Sequence, residues 1–277
     1  MPETKIEGAG VFGVNTYSYT FDWGAADCVR RLSDQGYRGV ELMMYPGHLW
    51  PGGAGAAKPA EVRRALDETG LPVVAVNMPN IDINIAGASD EMRAYSLGLL
   101  TRFIEVAGEV GAPTIILGPG KANPLFAPPR EMLLGHFRAA LDRLAPVAKK
   151  AGVRILVENM PFAFLPRAQE IMAALDDYGN DEIGVIYDVA NAHFVGEDPG
   201  EGLRIVRKRL GLVHFSDTTR AVYRHDTVGL GDVPFATVPA VLKEIEYLQM
   251  PVLEVISRNA DADTRESAAR LAALGYV

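Results

Sequence analysis

Four residues stand out as a chemical set: Glu158, Asp188, His214 and Glu254. Each lies at or near the carboxyl end of a short apolar run that reads as a β-strand. The runs are VRILVEN (153–159), IGVIYDV (183–189), GLVHFSD (211–217) and PVLEVIS (251–257). Taken singly, each carboxylate is equally well read as the buried partner of a lysine or arginine. Matching positions on four successive strands argue for a common purpose. Three carboxylates brought to one point repel one another unless a cation joins them, so the set points to a bound divalent metal. Three oxygens and one nitrogen make a hard donor set, suited to Mn2+, Mg2+ or Co2+, with Zn2+ or Ni2+ as further options. The single imidazole favours Mn2+ over Mg2+. A structural zinc site is not expected, because no cysteine cluster exists.

Such a set needs strands that deliver their ends to one place. The chain alternates strand-like and helix-like segments almost without interruption. Further strand-like runs are VFGVNTY (11–17), RGVELMM (38–44), PVVAVNM (72–78) and TIILGPG (114–120), making eight with the four above. Helix-like stretches cover 25–35, 60–69, 89–110, 129–151, 166–177, 200–209, 235–247 and 264–274, where apolar residues recur at three- and four-residue spacing. Gly36, Gly70, Gly111 and Gly152 each follow a helical pattern, the place where a left-handed residue ends a helix. The strands are almost continuously apolar, as in a parallel sheet covered on both faces. The expected fold is therefore a (β/α)8 TIM barrel, α/β in class, forming a single domain over residues 1–277. Neighbouring strands of such a barrel lie about 4.8 Å apart and open their carboxyl ends on one face.

Composition narrows the partners. A formal net charge of -8 argues against nucleic acid and against an anionic membrane surface, both of which attract clustered Lys and Arg. No apolar run approaches the roughly 20 residues of a membrane span. The only cysteine is Cys28, which suits a reducing compartment, and the opening MPETKIEGAG lacks a signal pattern. The expected location is the cytoplasm. A homo-oligomer is compatible with the pattern, but nothing fixes its number.

The segments after the strands are long and carry unusual residues, whereas the turns after helices are short. That asymmetry places function at the carboxyl face. In the second of these loops, His48 and Trp50 are candidates for a wall against a sugar or ring. Lys121, closing GPGK, is a candidate contact for an anionic group. Asn15, Asn77 and Asn159 end other strands and could bind hydroxyls. His225, in YRHDTVGLGDVPF, reads as a substrate ligand, an extra acid or a plain loop residue.

The motifs VEN, YDVANAH, VHFSD and VLEV together resemble the xylose-isomerase-like TIM barrels, including sugar epimerases of the ketose 3-epimerase type. The resemblance runs over the whole chain. It implies Glu158, Asp188, His214 and Glu254 as metal ligands, with Glu158 and Glu254 doubling as the acid–base pair. It implies that Arg220, six residues after His214, contacts substrate hydroxyls, and that Glu41 on the second strand serves or buttresses the site. One departure concerns the sixth strand, where many members have His three residues after the Asp. Here Asn191 holds that position and a histidine follows at His193. Either Asn191 replaces that histidine or the loop presents His193 instead.

The function expected from this resemblance is a divalent-metal-dependent isomerase or epimerase of a small keto sugar or polyol. It would act by α-proton abstraction through a metal-stabilised enediolate. The alternative is a lyase at the same metal site, a keto-inositol dehydratase or 3-keto-sugar β-eliminase, with His193 or His225 as acid for the leaving group. The family also contains DNA-repair nucleases, which call for more histidines and a basic face than this chain has.

Overall fold

The structure, a computed structural model, describes residues 9–52 and 58–276. Eight parallel strands close a barrel in chain order, so the expected (β/α)8 fold is the observed one. The strands are β1 (Gly13–Asn15), β2 (Gly39–Met43), β3 (Val73–Asn77), β4 (Thr114–Leu117), β5 (Arg154–Glu158), β6 (Gly184–Asp188), β7 (Leu210–Phe215) and β8 (Val252–Leu253). Each coincides with one apolar run of the sequence but is shorter, because the ends of the runs lie beyond the ladder. Glu254 is an example: it follows β8, yet its N–H still donates to Phe215 O at 3.0 Å.

The helices α1 (Ala25–Asp34), α2 (Pro59–Thr69), α3 (Asp90–Val110), α4 (Arg130–Ala151) and α5 (Ala168–Tyr178) follow the first five strands. Then come α6 (Val189–Phe194), α7 (Pro199–Val206), α8 (Val238–Glu244) and α9 (Ala260–Ala273). The short α6 was not expected from periodicity, since six residues hold less than two turns of pattern. It starts because Asp188 accepts a hydrogen bond from Asn191 N–H at 2.7 Å, capping the first turn. Gly36, Gly70, Gly111 and Gly152 all have positive φ, between 67° and 87°, as their place after the helices requires. Residues 53–57, in the loop after β2, fall outside the described residues.

Two cores result. A large one fills the layer between sheet and helices, with Phe12, Phe103, Phe137 and Phe215 fully buried in it. A small one plugs the barrel itself: Ala75, Ile116, Leu156, Ile186, Leu212 and Val252. Side chains alternate across a strand, so the next inward position lies two residues on. Stepping up by two from these plug residues gives Asn77, Gly118, Glu158, Asp188, His214 and Glu254. The site is thus the layer directly above an apolar floor. The barrel's tilt appears in its register: Asp188 faces His214 across β6 and β7, whereas Glu158 lies level with Ile186 and His214 with Val252. Among the described residues, no helix is long and apolar enough to cross a membrane.

Candidate metal centre

One ligand atom from each of Glu158, Asp188, His214 and Glu254 lies within 4.8 Å of the others, and all four residues are buried. His214 Nδ1 faces Glu254 Oε2 at 3.0 Å and Asp188 Oδ2 at 3.8 Å. Among the described residues, the ion-pair partners of Asp188 and Glu254 are histidines, not lysine or arginine.

The donor set fits a divalent cation on several counts. Asp188 spends Oδ1 on capping α6, and its Oδ2 is buried with no hydrogen-bond partner. An orphaned carboxylate oxygen beside two other carboxylates has a natural partner in a cation. On the far side of His214, Nε2 meets Glu41 Oε2 at 2.8 Å, which orients the ring and turns Nδ1 toward the cluster. A carboxylate behind a histidine in this way is a recurrent support of metal ligands. Asn15 and Asn77 fix this support: each donates to Glu41 Oε1, at 2.5 Å and 3.0 Å, and to Glu254 Oε1, at 3.2 Å and 3.3 Å.

The electrostatics carry the mark of crowded acids. Burial, with Glu254 adding to it, pushes Glu158 well above the usual carboxylate range. Burial also pushes Asp188 up, although the charge of His225 opposes it. In Glu254 burial is outweighed by His214 and His225, which hold it below that range. Burial would lower His214, but Glu41 and Glu254 outweigh it and hold the imidazole well above its ordinary value. A cation in this cluster would take the place of protons on the same groups.

His225 is placed against the cluster by the loop after β7. It is buried, and its Nδ1 lies 3.3 Å from Glu254 Oε2 and 3.0 Å from Ser216 Oγ. Its Nε2 meets the Tyr223 hydroxyl at 2.7 Å. That hydroxyl also donates to Asn191 Oδ1 at 2.8 Å, and Asn191 Nδ2 donates to Glu158 Oε1 at 3.2 Å. A hydrogen-bonded arc therefore links Glu254 to Glu158 through His225, Tyr223 and Asn191. Tyr223 was not singled out from the sequence, although it stands two residues before His225, the spacing that puts both on one side of an extended segment.

Other expectations change. Asn191, not His193, touches the cluster; His193 Nε2 pairs with Asp232 Oδ1 at 2.7 Å on the loop after β7. His48 and Trp50 do not form a substrate wall. His48 is fully buried, its Nδ1 on Trp23 O at 2.6 Å and its Nε2 on Thr16 Oγ1 at 2.9 Å, so one nitrogen is engaged by a backbone carbonyl and the other by a threonine hydroxyl. Trp50 stacks edge-on against Phe103 in the outer core, with ring centres 5.1 Å apart. Asn159 is not open to hydroxyls, because it exchanges two hydrogen bonds with the backbone of Asp188. Lys121 donates to the carbonyls of Asn80 and Ile81, pinning the loop after β3. Arg220 is exposed and makes no ion pair or hydrogen bond among the described residues.

A small pocket of about 90 Å3 opens on the cluster, lined by Glu158, Glu254, His225, Tyr223, Tyr17 and Asn77 among others. The family model of the xylose isomerase-like TIM barrel matches residues 29–274. The chain belongs to that family. Among its relatives is an L-ribulose 3-epimerase of Mesorhizobium japonicum, 23% identical over 85% of this chain and 77% of that protein. A probable endonuclease 4 of Acholeplasma laidlawii is 24% identical over 69% of this chain and 70% of its own. The chain spans 61% of the length of another relative, the uncharacterized protein MJ1311 of Methanocaldococcus jannaschii, at 24% identity over 63% of this chain. The structure is similar to that of the 3-keto-D-glucoside 4-epimerase YcjR from E. coli, with a TM-score of 0.78 at 20% identity, covering 95% of this chain and 99% of that one.

Proposed function

We propose that this protein is a divalent-metal-dependent epimerase or isomerase of a small keto sugar or polyol, working by abstraction of the proton next to a carbonyl. The observation that carries the reading is that Glu158 and Glu254 both line one pocket and both belong to the 4.8 Å cluster. Glu158, Asp188, His214 and Glu254 would hold the metal, with Mn2+ favoured by the donor set. When bound, the metal would draw electron density from the substrate's carbonyl and neighbouring hydroxyl, making the adjacent C–H more acidic. One glutamate then takes that proton and the other returns one, at the same carbon for epimerisation or at the former carbonyl carbon for isomerisation, their roles exchanging with the direction of reaction. Asn15 and Asn77 hold Glu254 in place through its Oε1, and Asn191 holds Glu158. The apolar floor beneath keeps water from reaching the site from below.

The Tyr223–His225 pair favours a second reading, a lyase at the same site. Elimination needs an acid to protonate the leaving group, and the Tyr223 hydroxyl, backed by His225, stands at the pocket wall. A nuclease is disfavoured by the net charge of -8.

The test is proton NMR in D2O with the Mg2+- or Zn2+-loaded protein and a panel of ketoses, keto-inositols and 3-keto glycosides. Deuterium next to the carbonyl with an epimeric product supports the first reading. An eliminated alkene supports the lyase. Neither α-exchange nor an alkene with any member would sink both.

A further inference from the structure

Beside the pocket of the centre lies a larger cavity of about 280 Å3, sharing Asn80, Ile81, Met160 and Tyr223 with it. Its other walls include Ile83, Phe162 and Ala163. The polar side chains at this cavity are already engaged. Asn80 accepts from Gly118 N–H at 3.0 Å and donates to Asn77 Oδ1 at 3.4 Å. The Tyr223 hydroxyl is shared between Asn191 and His225. Lys121 places two of its three N–H groups on the Asn80 and Ile81 carbonyls, and burial lowers its pKa. A hydroxylated or phosphorylated group entering here would lose water and find few open partners. An apolar group would meet hydrocarbon and ring faces. The apolar side chains at the mouth wait uncovered: Phe162 is 60% and Ile81 64% exposed. The Phe162 ring already packs edge-on against Tyr223, with centres 5.3 Å apart, which sets a flat face beside the reacting pocket.

We infer that this cavity is a subsite for an apolar substituent carried by the substrate, an aryl or alkyl group on a keto glycoside rather than a phosphate or a bare hydroxyl. The inference rests on the keto-sugar reading above and names its substrate class. Four shared lining residues set the two spaces side by side, so the cavity stands next to whatever sits at Glu158 and Glu254, across Tyr223 and Met160. Burying a phenyl ring there strengthens binding by roughly 10- to 100-fold over a methyl group.

The experiment compares three 3-keto glucosides, the methyl glycoside, the phenyl glycoside and the methyl glycoside 6-phosphate, by calorimetric affinity and by deuterium exchange in D2O. The native protein is set beside Phe162→Ala, which removes the exposed ring, and Ala163→Leu, which fills the cavity. The expected result is tighter binding of the phenyl glycoside, a preference that collapses toward unity in both variants. Equal binding of methyl and phenyl glycosides, with exchange intact, overturns the subsite and leaves the keto-sugar reading standing. Tightest binding of the phosphate overturns it in favour of an anion contact at Lys121. Absence of both binding and exchange across the series overturns the subsite together with the reading on which it rests.

Discussion

The Glu41 carboxylate lies 2.8 Å from the far nitrogen of His214, at the base of the cluster. It is fully buried and shares Asn15 and Asn77 with Glu254. On the proposed metal reading, this position supports His214 from behind and is not that of a ligand. Replacing it with glutamine keeps the volume but removes the charge that orients the ring. In Glu41→Gln, affinity for Mn2+ should fall roughly 10- to 100-fold, measured by competition with a chelating dye. Unchanged affinity would show that His214 is held by packing alone.

Glu158→Gln and Glu254→Gln should each slow deuterium exchange by on the order of 10²- to 10⁴-fold. Near-native circular dichroism would separate this loss from unfolding. A variant that exchanges at the native rate would remove that residue from the acid–base pair.

Tyr223→Phe deletes the one hydroxyl that joins His225 to Asn191. Two polar atoms facing the protein interior then lose a partner, at a cost of about 1–3 kcal/mol in urea unfolding. Under the lyase reading the same variant loses elimination while retaining exchange at the α-carbon. Parallel loss of both would assign Tyr223 to holding the site's shape.

Much of this centre could be read from the chain, for a simple reason. Strand side chains alternate with period two, so a carboxylate two residues beyond an apolar plug position must point into the barrel. Glu158 above Leu156, Asp188 above Ile186 and Glu254 above Val252 all obey that rule. Loops have no such period. His48 and Trp50 sit in one, and nothing in their spacing distinguishes a buried brace from a sugar wall. Asn159 ends a strand like Asn15 and Asn77, but it lies one residue past Glu158 and so faces the adjacent backbone instead. The arc through Tyr223 depends on a loop returning to the barrel mouth, where Asp217 and Asp226 exchange backbone hydrogen bonds.

His48 gives the fold a pH signature. Burial lowers its pKa from the ordinary 6.5 to about 4, although the Trp23 carbonyl opposes this. The unfolded chain therefore binds the proton more readily. The associated stability is fully present above pH 6.5 and is lost as pH falls through the window down to the folded value. The whole effect is about 3 kcal/mol. Urea unfolding at pH 7, 5.5 and 4.5 should show a steeper fall for the native protein than for His48→Gln. Equal slopes would mean that other groups account for the acid sensitivity.

Metal should also be visible without any substrate. A hundredfold excess over Kd stabilises by about 2.7 kcal/mol, worth on the order of 5 °C in Tm for a chain of this size. The shift should be absent in His214→Ala. A Tm indifferent to Mn2+, Mg2+ and Zn2+ would remove the cation from the account.

The six-residue plug under the acidic cluster makes the barrel a cup with a single lip. Whatever reacts must back out through the opening by which it came, so a second molecule waits until the first has gone. Product and substrate would then queue for one doorway, and traffic through that doorway, as much as the speed of bond breaking, would set the pace.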